Sequence, residues 1–144
     1  MSPIDAAIIR RKLGRLIAAF EGLGPLARLS LDDYRSRLYE RKAAERLLQE
    51  AIEAALDINA HVIAELSGDV PEDSHQGFTR MAALGILSAD LAHALAPSAG
   101  LRNRLVHEYD ALDDEKVRDS IGVLLGLYPR YVQAIEAHLT KAGF

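Results

Sequence analysis

The stretch ERLLQEAIEAALDINAHVIAEL, from Glu45 to Leu66, decides the fold class of this chain. Within it Leu47, Leu48, Ala51, Ile52, Ala55, Ile58, Val62, Ile63 and Leu66 recur at three- and four-residue spacing, which gathers them on one broad helical face. Working back, the helix is expected to begin near Leu31, with Ser30 as its cap and Asp32 and Asp33 against its positive end. At 1.5 Å per residue such a helix is roughly 50 Å long. A small domain cannot cover that length alone, so a second copy of the chain is expected to bury the remainder.

Outward from this helix the pattern stays helical. A first helix spans Ile4 to about Glu21, capped by Ser2, with Pro3 in its first turn and Asp5 at its positive end. Its apolar positions are Ile8, Ile9, Leu13, Leu16, Ile17 and Phe20, and Gly22-Leu23-Gly24-Pro25 should end it. The polar run from Ser67 to Gln76, with Gly68 and Pro71, reads as a loop. A third helix from about Gly77 to Leu84 stops at Gly85, and Ser88 caps a short one reaching Ala94. After Pro97-Ser98-Ala99-Gly100 another helix starts near Ala99 and frays close to Tyr109. The last begins at Asp113 and Asp114, with a core face of Val117, Ile121, Leu124, Tyr128, Val132, Ile135 and Leu139. Pro129 should kink it, because it removes a backbone donor. With no strand pattern, repeat or low-complexity tract, the expected fold is all-α, an up-and-down helical bundle forming a single domain over residues 1–144.

Composition agrees. The chain has 144 residues, of which only 6% are aromatic, and its apolar set is dominated by Ala and Leu, which favour helix. The absence of cysteine excludes disulfides and thiolate metal sites. No apolar run reaches the roughly 20 residues that span a bilayer, and Arg10, Arg11 and Lys12 interrupt any signal-like stretch. A cytoplasmic protein without membrane contact is expected. The net charge of −4 argues against a general nucleic-acid coat. Yet basic residues concentrate before residue 50 and again at 102–104, which allows a local positive groove.

The chemistry lies in RNRLVHEY, Arg102 to Tyr109. Arg102 supplies a permanent fork-shaped cation suited to phosphate, and His107 a proton carrier near neutral pH. Together they suffice for cleaving RNA without a metal. The 2′-OH loses its proton, the charged phosphorane is stabilised, and the leaving 5′-oxygen gains a proton. His107 serves the proton transfers and Arg102 the non-bridging oxygens. Asn103 can hydrogen-bond the imidazole or a ribose oxygen, and Arg104 lies on the side of His107. The product is a 2′,3′-cyclic phosphate, and DNA is inert for want of the internal nucleophile. On a straight helix Arg102 lies about 140° from His107. Arg102 can reach round, or two copies of the motif can face each other across a dimer. The second arrangement also accounts for the overlong helix.

The octapeptide fits R-x4-H-x-Y and resembles the signature of the HEPN domain, more narrowly its HepT-type toxin branch. The helix through Glu45–Leu66, Gly85-Ile86-Leu87 and AGLRNRLVHEYDALDD extend the likeness over essentially the whole chain. That resemblance implies a dimerising bundle with both motifs in one cleft and a metal-independent endoribonuclease, with Arg102 and His107 at the catalytic positions. It also implies a small nucleotidyltransferase antitoxin of the MNT type, for which Tyr109 resembles the acceptor of AMP. Phosphate added there puts negative charge and bulk beside Arg102. The alternative is a helical module that binds such a nucleotidyltransferase without cleaving anything.

No cofactor is expected. His61, His75, His93 and His138 show no metal-ligand spacing, with His61 on a helix and His75 in a loop. Glu45, Glu50 and Glu53 are expected to pair with Arg41, Lys42 and Arg46 along one helix. Arg35, Arg37, Arg41 and Arg46 line an RNA path if their face flanks the dimer cleft.

Overall fold

The computed structural model describes residues 1–68 and 73–144, so Pro71 of the expected loop lies outside the described residues. Among these residues seven helices follow one another: α1 (Pro3–Ala27), α2 (Leu31–Ser36), α3 (Leu38–Ser67), α4 (Ser74–Ala83), α5 (Ala89–Leu95), α6 (Pro97–His107) and α7 (Asp114–Lys141). Long α1 and α3 pack along each other, α7 lies against both, and α6 sits on α3. The fold is an all-α helical bundle.

Several boundaries correct the sequence reading. α1 begins with a full capping box, in which the Asp5 amide donates to Ser2 Oγ at 3.1 Å and the Ser2 amide to Asp5 Oδ2 at 3.1 Å. The Ser2 hydroxyl, which donates to Asp5 Oδ2 at 2.7 Å, and then the Ser2 amide hold the Asp5 carboxyl down at about 2. The helix does not stop at Gly22 but runs through Pro25 to Ala27. A Cβ at residue 22 would stand 3.0 Å from Leu47 Cδ1, so Gly22 serves close packing of α1 on α3, and Leu23 beyond it is fully buried. The long second helix is broken at Arg37, whose backbone is extended at φ −93° and ψ 91°. The Asp33 carbonyl still accepts from the Arg37 amide at 2.9 Å and also from Ser36 Oγ at 3.2 Å, while Arg41 Nη1 donates to the Arg35 carbonyl at 2.9 Å. The bend lets α2 bury Tyr34 completely.

α3 ends as anticipated, with Gly68 left-handed at φ 74° and its amide donating to the Ala64 carbonyl at 3.0 Å. α4 starts earlier than Gly77 because Asp73 caps it, accepting from the Gln76 amide at 2.9 Å. α6 starts at Pro97 rather than Ala99, a position that suits proline since the first-turn amide has no partner anyway. α7 continues through Pro129 to Lys141, with Pro129 itself exposed. Its buried face is Val117, Ile121, Leu124, Tyr128, Tyr131, Ile135 and Leu139; Val132 is only half-buried.

An aromatic cluster ties the long helices together. Phe20 stacks on Tyr128 at 5.1 Å between ring centres, and Tyr131 meets Tyr128 and Phe78 edge-on at 5.8 and 6.0 Å. The Tyr131 hydroxyl donates towards Asn59 Oδ1 at 2.6 Å and the Ala55 carbonyl at 3.1 Å, all of them buried. Tyr131→Phe keeps the ring but strips the donor from a buried carboxamide. It should cost about 1–3 kcal/mol of stability, read from urea unfolding. An unchanged midpoint would show that Asn59 finds another partner.

Candidate active site

α6 buries Ser98, Ala99, Leu101 and Leu105 and turns its remaining residues outward. Leu101 and Leu105 pack into the core, which fixes the helix's rotation and thereby the direction of its polar side chains. Arg102 is half-buried, whereas Asn103, Arg104 and His107 are exposed. Arg104 and His107 occupy the last turn, where a cation opposes the negative helix end. The helix closes with the Glu108 amide donating to the Arg104 carbonyl at 2.9 Å, and a turn carries the chain on through Tyr109.

Arg102 is the best-held of these groups. Its Nε and Nη2 both lie 3.1 Å from Glu53 Oε1 on α3, and Nη1 donates to Asn103 Oδ1 at 3.3 Å. Gln49 Nε2 donates to the same Glu53 oxygen at 3.1 Å. The guanidinium is thereby oriented from two sides and remains 30% exposed. This ion pair is too exposed to contribute more than ~1 kcal/mol to stability, so its effect is geometric.

Glu53 is therefore a site residue, although the sequence reading paired it with cations of its own helix. Lys42 and Arg46 do take Glu45 and Glu50, at 3.3 and 3.0 Å, but Glu53 goes to Arg102. Arg41 reaches across to Asp114 at 3.7 Å. Of the four arginines expected along an RNA path, Arg37, Arg41 and Arg46 are paired with carboxylates, which weakens that path. Asn103 faces Arg102, not the imidazole.

Among the described residues His107 has no hydrogen bond or ion pair, and none of them joins it to Arg102. The two groups share a helix but not a contact. His75 belongs to α4 and not to a loop. A Cβ at Gly100 would lie 3.4 Å from His75 Cε1 and 3.5 Å from Arg104 Nη1, so His75 and Arg104 converge there. Gly100 precedes His107 by seven residues and so lies on the same side of α6. Tyr109 is 64% exposed on the turn after the helix. Its hydroxyl is not the partnered, half-buried group that aromatic residues often become.

Among the described residues one trio gathers metal-type ligand atoms: Asp5, His61 and Glu65, within 4.8 Å of one another. There His61 Nε2 already lies 3.1 Å from Asp5 Oδ1, and Ser2 takes the other oxygen. The trio lies on α1 and α3, with none of its members on α6. No helix among the described residues is long and apolar enough to cross a membrane.

Comparison with known proteins gives the same direction. Residues 9–135 match the family described as HepT-like, ribonuclease HepT-like. The chain is 38% identical over 139 residues to the tRNA nuclease HepT of Aphanizomenon flos-aquae, covering 96% of this chain and 95% of that protein. It is 29% identical over 90 residues to the mRNA nuclease HepT of Shewanella oneidensis, covering 62% and 68% respectively. The tri-AMPylated HEPN toxin of Shewanella oneidensis, solved in complex with MNT antitoxin, superposes with a TM-score of 0.81 at 22% identity, over 95% of this chain and 99% of that one. At that identity the superposition speaks for the fold alone. Helix order, the R-x4-H-x-Y segment closing α6 and running into the turn after it, and the family match over most of the sequence agree: the chain belongs to the HepT-like ribonucleases.

Proposed function

We propose that residues 1–144 act as one domain that cuts RNA without a metal, with Arg102 binding the scissile phosphate and His107 moving protons. The observation that carries this is the guanidinium held by Glu53 and Asn103 on the same helix as an accessible, unengaged imidazole. A phosphate oxygen approaching Arg102 meets donors already aimed, so little reorganisation is needed as charge develops. His107 takes the 2′-OH proton or supplies one to the 5′-oxygen. Because the chain itself does not bring His107 to Arg102, a second copy is proposed to complete the cleft. Identity to a tRNA nuclease over nearly the whole chain favours tRNA as the substrate. Such a substrate belongs in the cytoplasm.

In the same reading an MNT-type nucleotidyltransferase neutralises the enzyme by transferring AMP to Tyr109. The Tyr109 phenol attacks the α-phosphate of ATP and pyrophosphate leaves. Support comes from the exposure of Tyr109 and from the tri-AMPylated state named for the Shewanella relative. Purified chain should cut tRNA in EDTA and leave 2′,3′-cyclic phosphate ends. A chain that cuts no RNA yet binds the nucleotidyltransferase would favour the non-catalytic alternative.

Glu53 has a separable part in this scheme as a positioning residue. Glu53→Gln keeps the shape and removes the charge that orients Arg102. Small displacements of a reacting group cost up to ~100-fold, so kcat should fall roughly 10- to 100-fold. KM should stay level or drop, since a carboxylate that competes with phosphate is gone. A change in KM alone, or in stability alone, would show that Glu53 merely packs.

A further inference from the structure

Beside the motif, α5, α6 and α7 enclose a cleft of about 390 Å³. Its floor is apolar: Pro97 and Leu101 from α6, Val123 and Leu124 from α7. Val123 is 60% exposed, a large apolar side chain on the open face of an amphipathic helix. Arg104 and Lys116 stand on the rim, and among the described residues neither forms an ion pair. In the groove between α1 and α3, by comparison, Lys12 is met by Asp57 and Arg46 by Glu50, while Arg15 forms no ion pair among the described residues. The one acid on the rim, Asp119, is engaged at 3.4 Å by Arg118.

We propose that this cleft seats one nucleotide of the RNA next to the cleaved linkage. The flat face of the base lies on Pro97, Leu101 and Val123, and the adjoining phosphate meets Arg104 and Lys116. Three features favour that occupant. The volume falls within the ~300–1,000 Å³ typical of small-molecule sites. Apolar floor and cationic rim match the two halves of a nucleotide, a stacking surface and an anion. Arg104 precedes His107 by one turn, about 4.5 Å along the axis, so the cleft adjoins the proton carrier. The inference rests on the ribonuclease reading for the identity of the ligand, but its binding can be measured without cleavage.

The ligand for the test is a 2′-O-methylated RNA dodecamer of mixed sequence, which lacks the attacking hydroxyl and cannot be cut. Binding to the full chain is followed by fluorescence anisotropy at several salt concentrations. Lys116→Ala and Val123→Asp change exposed positions of α7, so both variants should fold, which circular dichroism checks. Each should raise Kd at least fivefold. Lys116→Ala should also flatten the slope of log K against log salt by about 0.7, the value for one phosphate contact on a single strand. Unchanged Kd in both variants, or no binding by the parent chain, overturns the proposal. So does a loss of the nucleotidyltransferase partner with RNA binding intact, which would give the cleft to a protein. A parent chain that cuts tRNA while both variants bind normally loses only this cleft. One that cuts nothing while both variants bind poorly loses only the ribonuclease reading.

Discussion

His107→Ala is expected to lower the rate of RNA cleavage by roughly 100- to 10,000-fold, the usual worth of a positioned proton carrier. Arg102→Ala should cost roughly 100-fold or more, because the developing phosphorane charge loses a donor already aimed at it. Neither change should disturb the fold. His107 has no partner among the described residues to lose, and the Arg102–Glu53 pair is exposed enough that its removal costs within ~1 kcal/mol. Single-turnover assays with the helical signal as a control would check both. Mixing the two inactive variants separates the possible arrangements. If each site takes Arg102 from one copy and His107 from its partner, mixed dimers hold one intact site, and about a quarter of the activity returns. If one copy supplies both groups, mixing restores nothing.

The second large effect concerns Tyr109. Co-expression with an MNT-type nucleotidyltransferase should add mass in multiples of an adenylate, mapped to Tyr109, and cleavage should cease. Tyr109→Phe removes the attacking oxygen and should abolish the mass gain entirely, leaving an enzyme the partner cannot silence by chemistry. Each adenylate brings a phosphate charge to the turn that directly follows the last turn of α6. There it competes with RNA for Arg102 and Arg104. Adenylation that persists in Tyr109→Phe, or silencing with no mass change, would contradict this assignment.

Much of the fold could be read directly from residue spacing. The face from Leu47 to Leu66 is one continuous helix, and Ser2, Ser30, Ser88 and Asp113 all cap the helices they precede. What escaped was tertiary in origin. No proline or glycine marks the break at Arg37; it exists because Tyr34 has a place in the core. Gly22 looked like a stop, yet its missing side chain admits Leu47. In α7 spacing alone put Val132 after Tyr128 on the inner face, whereas Tyr131 is the residue buried there. The candidate site shows the same division. Arg102, Asn103, Arg104, His107 and Tyr109 are contiguous, so a short pattern found them. Glu53 lies 49 residues from Arg102 on another helix, and its role is set by how α6 packs on α3. His75 was hidden for the same reason, although Gly100, seven residues before His107, marked a place where another side chain could approach.

The central claim is that one guanidinium and one imidazole drive attack by the ribose's own hydroxyl. It is tested most directly by an RNA that the chain cuts at one known linkage, presented in EDTA beside a copy with a single 2′-deoxy residue at that linkage. The account predicts rapid cutting of the first, leaving a 2′,3′-cyclic phosphate, and an intact second strand. Equal cutting of both, or activity that vanishes in EDTA and returns with a divalent ion, would contradict it.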